Sequence, residues 1–235
     1  MYVPDLVVPV RTGETNPQLR YALRSWEAHL PHDRVWIVGY RPPWLRNVEH
    51  IESSQHGSKY QNTTAAVRAA CEHPGVAETF LLCNDDMFVM RPQLHGMPVL
   101  HRGPVADVEE LYVRRASGRY LDGMRATRQL LVDLGHADPL SYELHVPMPV
   151  DKSGMLKALD IGWHLDVVHK RTLYGNLAAL GGEQIEDVKV LGRSPCFDEA
   201  SPFLSTLPDA FVNGMVGKHI RGAFRSPSRY ESGAP

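Results

Sequence analysis

Cysteine is scarce, and what there is lies far apart. Cys71, Cys83 and Cys196 are three in 235 residues. An odd, widely spaced set excludes a disulfide frame and a zinc knuckle, and reads as reduced thiols of a cytosolic protein. Long apolar runs are also missing: none approaches the roughly 20 residues that cross a bilayer, and no basic start leads into an apolar signal segment. The expectation is a protein without a membrane span, in the cytoplasm. Charge of one sign is absent too. Lys and Arg number 25 against 27 Asp and Glu, a net charge of -2, which excludes a surface built throughout for a polyanion. Internal repeats, low-complexity tracts and a clear linker are lacking, so the whole of 1–235 reads as a single domain, in two halves at 1–106 and 107–235.

Enough apolar residues remain, 43% of the chain, to bury a core. Asp5 to Val10 reads as a first strand. A polar loop from Arg11 to Pro17 follows, with Asn16 as N-cap and Pro17 at the first helical position. The helix then carries Leu19, Leu23, Trp26 and Leu30 on one stripe and ends at Pro31. Arg34 to Gly39 is a second strand, Pro42 to Leu45 a stiff turn in which Trp44 fills core, and Val48 to Ile51 a short third strand. Ser58 to Glu72 suits a helix, broken by Pro74-Gly75. This order of strand, helix, strand, strand, helix, strand predicts an α/β fold with a mainly parallel sheet flanked by helices. Residues 91–106 read as a long loop, followed by helices at about 107–117 and 121–134. Leu144 to Pro149 is too proline-rich for a helix or inner strand. Helices are predicted over 152–159 and 163–180, the latter stopped by Gly181-Gly182, and a late strand over 188–191. The basic stretch 218–229 leads into a tail expected to be flexible, its last few residues disordered.

The densest chemistry lies in Phe80-Leu81-Leu82-Cys83-Asn84-Asp85-Asp86-Met87-Phe88. The apolar run entering it reads as a buried central strand, with Met87 and Met90 filling core. Two carboxylates at such a strand end are costly unless paired. A hard divalent cation, Mg2+ or Mn2+, removes that cost and can also hold a substrate diphosphate. The plainer alternative is a polar turn that caps the next helix. Ligands in parallel sheets collect beyond the strands' carboxyl ends, so this turn and the loop after Val10 are expected to share one crevice. Arg20 and Arg24, one helical turn apart, are either solvated or in reach of phosphate. His145 is either a backbone-bonded histidine or a metal ligand or base. Arg171 is either a solvated helix charge or a phosphate clamp.

Several segments together resemble the stealth family of hexose-1-phosphate transferases. Gln18-Leu19-Arg20-Tyr21-Ala22-Leu23-Arg24-Ser25 is similar to one family block, with Pro43-Trp44-Leu45 following at a suitable distance. Asn62 stands where the family has Phe-Asn-Ser, and Asn-Asp-Asp-Met-Phe is present intact at Asn84 to Phe88. His145-Val146-Pro147-Met148-Pro149 resembles the third block, with His169-Lys170-Arg171 near its later basic segment. Phe224 to Glu231 resembles the closing block. One departure is the family's opening Trp-Val-Asp-Gly turn, replaced here by Val10-Arg11-Thr12-Gly13-Glu14.

The resemblance implies a GT-A-like, Rossmann-like sheet with a smaller helical C-terminal part, 1–106 binding nucleotide and 107–235 closing on the acceptor. It implies a metal-dependent transferase with a nucleotide-diphospho-sugar donor, UDP- or GDP-linked, that passes a sugar or sugar-1-phosphate to an acceptor hydroxyl. That acceptor is a glycan, a protein or a modified nucleic-acid base. The expected metal ligands are Asp86, Asp85 and His145, for Mn2+ or Mg2+. Asp85, His145 and Arg171 are the expected catalytic groups, and Arg11, Arg20, Arg24, Asn62 and Asn84 hold the donor. Glu231, Arg225 and Arg229 close over the nucleotide if the tail folds back. The alternative from another class is a non-catalytic module that binds a sugar or a partner.

Overall fold

The computed structural model describes residues 3–13, 15–113, 118–193 and 196–232. Strand β1 (Asp5–Val10) is buried on both sides. Leu6, Val8 and Val10 join one apolar cluster and Val7 another, as alternation along a central strand requires. Helix α1 (Pro17–His29) packs on the first cluster. Its start is set by Asn16, whose side chain accepts from the Leu19 amide, and by Pro17 in the first turn. Strands β2 (Val35–Gly39) and β3 (Glu49–Ile51) follow, and then helix α2 (Lys59–Glu72), which covers the second cluster. A capping box between Ser58 and Gln61 starts α2.

Strand β4 (Thr79–Leu82) returns beside β1. The main sheet has the order β3-β2-β1-β4-β7, parallel throughout except for its last strand, β7 (Met148–Asp151). Strand β7 is an edge, which is where Pro149 is tolerated. The chain leaves β1 towards β2 on one side and comes back to β4 on the other. The gap between β1 and β4 is therefore the topological switch point, where parallel sheets bind ligands.

The apolar run after the acidic turn is a separate strand, β5 (Met87–Val89), in a second sheet. Between β5 and the helices lie β6 (Leu100–His101), α3 (Val105–Val113) and α4 (Arg119–Asp133). The end of the helix expected over 107–117 lies outside the described residues. After β7 come α5 (Lys152–Ile161) and α6 (Lys170–Leu177). Here the expected helix over 163–180 is corrected, since 163–169 is not helical. Tertiary contacts win over local propensity: the Thr127 hydroxyl accepts from the His169 amide, His169 Nε2 donates to the Tyr120 carbonyl, and Val167 presses on Gly123 of α4.

Strands β8 (Glu183–Gln184), β9 (Lys189–Val190) and β10 (Phe203–Thr206) complete the smaller sheets, β5-β10-β9 and β6-β8. Gln18 of α1 donates to the Thr206 carbonyl and hydroxyl, joining β10 to the first helix. Helices α7 (Pro208–Asn213) and α8 (Met215–Ala223) follow. The flexible tail is a second correction. Residues 224–232 are pinned by Glu231, 2% exposed, which accepts from Arg20 and Arg24 at 2.6–2.7 Å. The Tyr230 carbonyl and the Ser232 amide also bond Arg46 and Trp44. The last three residues lie outside the described set. Among the described residues no helix is long and apolar enough to cross a membrane.

Candidate functional site

Asn84, Asp85 and Asp86 sit at the carboxyl end of β4, beside the end of β1, with the Met87 amide closing the turn on the Asn84 carbonyl. Asp85 is held by the loop after β1: its Oδ2 accepts from Asn16 Nδ2 at 2.9 Å. Asn16 thus caps α1 with one side-chain atom and positions a carboxylate with the other. It does so from a left-handed backbone, φ 25°, which asparagine tolerates better than most residues. Burial and the neighbouring Asp86 push the Asp85 pKa up; the Asn16 hydrogen bond, Arg11 and Lys189 pull against them.

Asp86 has two different oxygens. Oδ2 accepts from Lys189 Nζ at 2.7 Å. Oδ1 is buried and without a hydrogen-bond partner among the described residues. A buried anionic oxygen left bare is expensive, and such atoms are rare unless a ligand or ion completes them. That orphan fits a divalent cation. Among the described residues no three His, Cys, Asp or Glu gather as a ligand set. Protein ligation would therefore be limited to one or two carboxylates, with the remaining positions filled by water and phosphate oxygens, the usual habit of Mg2+.

Arg171 lies in the same buried cluster. Its guanidinium donates to the carbonyls of Leu82, Leu144 and Val146 at 2.8–3.2 Å and more weakly to Asn84 Oδ1 at 3.4 Å. Burial lowers its pKa, opposed by Glu143, Cys83, Asp86 and Asp187. With those bonds it fastens the end of β4 to the proline-rich segment that carries His145. His145 Nδ1 lies 3.0 Å from both oxygens of Asp187, and its backbone amide is 3.3 Å from one of them. A carboxylate accepts, so Nδ1 carries a hydrogen; in the neutral ring the lone pair then lies on Nε2. Among the described residues Nε2 has no hydrogen bond. Burial works against the charge of Asp187, but His145 and Arg102 outweigh it, and the Asp187 pKa falls below its ordinary value.

The structure therefore brings Asn84, Asp85, Asp86, Arg171 and His145 into one connected network, with Arg11 exposed beside it. It places others elsewhere. Arg20 and Arg24 are bound to Glu231, and Arg20 lies 4.3 Å over the Trp44 ring. Asn62 exchanges two hydrogen bonds with the Gly57 backbone and so fixes the loop before α2. Trp44, expected to fill core, packs half-buried at its edge. Asn16, Asp187 and Lys189 are absent from the set drawn from sequence. A signal existed for the last two: Asp187-Val188-Lys189 has the two-residue spacing that sets both side chains on one face of an extended chain.

No family model matches the chain. It is 28% identical over 176 residues to the exopolysaccharide phosphotransferase of Nocardia farcinica, a stretch covering 66% of this chain and 34% of that one. It is 29% identical over 158 residues to the exopolysaccharide phosphotransferase CpsY of Mycobacterium tuberculosis, covering 60% of this chain and 30% of the relative. CpsY of Mycobacterium bovis matches to the same extent. The chain spans about a third of the length of the curated relatives it matches. It is thus a mixed α/β protein distantly related to proteins named as exopolysaccharide phosphotransferases.

Proposed function

We propose that the chain transfers a sugar-1-phosphate from a nucleotide-diphospho-sugar, UDP- or GDP-linked, to an acceptor hydroxyl, on a GT-A-like sheet with Mn2+ or Mg2+ at Asp86 and Asp85. The observation that carries this reading is the bare, buried Asp86 Oδ1 at the switch point of a parallel sheet. The names of the relatives favour transfer of the phosphate-bearing group over transfer of the sugar alone.

In this reading the acceptor oxygen attacks the phosphorus that bears the sugar. The bond from that phosphorus to the bridging oxygen breaks, and nucleoside monophosphate leaves. The acceptor's proton passes to His145 Nε2, and Asp187 stabilises the imidazolium that results. A bound cation would offset the charge that grows on the diphosphate. Lys189 and Arg11 add positive charge on the same side, whereas Arg171 acts by holding β4 and the His145 segment in register. Fixed groups of this kind are typically the largest catalytic contribution.

Product analysis tests the reading. UMP or GMP is expected from UDP- or GDP-hexoses, dependent on Mn2+ or Mg2+; UDP or GDP would mean transfer of the sugar alone. Asp86→Asn should cost at least about 100-fold in turnover with the fold unchanged by circular dichroism. Undiminished wild-type turnover in excess EDTA would remove the cation from the scheme. Donor binding untouched in Asp86→Asn, with no turnover in either protein, would favour the non-catalytic module.

A further inference from the structure

We propose that the cavity along β9 is the acceptor subsite, and that it admits an uncharged or amine-bearing saccharide while rejecting an anionic one; this rests on the transferase reading above. The cavity has a volume of about 740 Å³, within the range of small-ligand sites. Residues 185–192 form one wall, and β9 is the outermost strand of its sheet. Two residues of that wall leave it to meet the reaction centre: Asp187 holds His145, and Lys189 holds Asp86. That end of the cavity is therefore joined to the reaction centre through Asp187 and Lys189, which line it.

The lining sets the ligand class. Its floor is apolar, with Leu100, Val188 and Leu204, and the half-buried Phe197 offers a ring against which a sugar face can lie. Glu183, Glu186 and Asp198 are exposed lining residues with no cation paired to any of them among the described residues. Lys189 is the one basic side chain among the described lining residues, and its charge is already matched by Asp86. Three uncompensated carboxylates accept hydrogen bonds from vicinal hydroxyls or an ammonium and repel a carboxylate or phosphate. The same field keeps the donor diphosphate out of the cavity and disfavours a nucleic-acid acceptor.

The test uses three β-1,4-linked trimers with the whole protein, of glucose (cellotriose), glucosamine and glucuronic acid, which differ in charge but share configuration and linkage. Binding is followed by calorimetry, and transfer in the presence of whichever UDP- or GDP-hexose releases nucleoside monophosphate. At low salt the glucuronate trimer should bind roughly tenfold or more weakly than cellotriose. Glu183→Gln combined with Glu186→Gln should close most of that gap while the melting temperature stays put. Equal binding of the charged and neutral trimers, or a gap that survives the double substitution, overturns the subsite. Monophosphate release by wild type into water, with no acceptor, reads the donor chemistry separately. If that release is present the cavity proposal fails alone; if no donor releases monophosphate under any condition, the transferase reading falls and the subsite with it.

Discussion

Asp85 carries its charge against its surroundings, because burial and Asp86 raise its pKa. The folded state holds that proton to a higher pH than the unfolded chain does. As pH rises from the ordinary 3.8 through the raised value, the fold loses stability. Asp85→Asn keeps an oxygen for the Asn16 hydrogen bond and removes the buried charge. The melting temperature at pH 7 should rise, with no gain below the ordinary carboxylate value, while turnover falls at least about 100-fold. A lower melting temperature at pH 7 would mean that the ionised group stabilises the fold. Asp187→Asn has a different signature. It spoils the His145 tautomer without removing the ring, so kcat should fall roughly 100- to 1,000-fold with the KM for the donor little changed. Steady-state kinetics across pH would show the acid limb of the profile, which is set by deprotonation of the base, shifted. The buried thiols stay out of this chemistry: burial raises the pKa of Cys83 and of Cys71 to about 12, far from the thiolate form.

At the level of elements, residues 224–232 are fixed to α1 by one carboxylate. Burial alone would raise the Glu231 pKa, but Arg24, Ser228 and Arg20 outweigh it and pull it down to about 2. A lowered carboxylate stabilises the fold above its unfolded value and loses that contribution as pH falls, here between about 4.5 and about 2. Glu231→Gln leaves two guanidiniums without their anion and should cost roughly 3 kcal/mol at pH 7, read by urea unfolding. Its stability should also change less than wild type's across that acid window. Faster trypsin cleavage at Arg225 and Arg229 would report release of the segment. The α7–α8 corner is as exacting. A Cβ at Gly217 would run into the Phe211 carbonyl oxygen, so Gly217→Ala should cost about 1–3 kcal/mol or more, again measured by unfolding. The tail was unreadable from composition because Ser, Pro and Gly suit loops of any rigidity, and its order comes from a charge pair some 200 residues away in sequence.

For the molecule as a whole, the consequence of a cation site at the switch point is a linked stability. A donor present at 100 times its Kd should stabilise the folded chain by about 2.7 kcal/mol, seen as a thermal shift that needs Mn2+ or Mg2+ and vanishes with EDTA or in Asp86→Asn. A donor-induced shift indifferent to metal would break that link. What the sequence determined by itself was local. The apolar run of Leu6 to Val10, the Asn16-Pro17 cap and the buried run before Asn84 specify their own elements, because each depends on neighbours in the chain. The acidic turn was legible for the same reason, since buried carboxylates at a strand end demand partners wherever they occur. The partners themselves were decided only by tertiary structure. Asn16 reaches Asp85 across 69 positions, Lys189 reaches Asp86 across 103 and Asp187 reaches His145 across 42. Glu231 pairs with both Arg20 and Arg24 across some 200 positions. A charge announces in sequence that it must be compensated, but which group compensates it is settled by packing, when the chain brings distant side chains within a hydrogen bond's length.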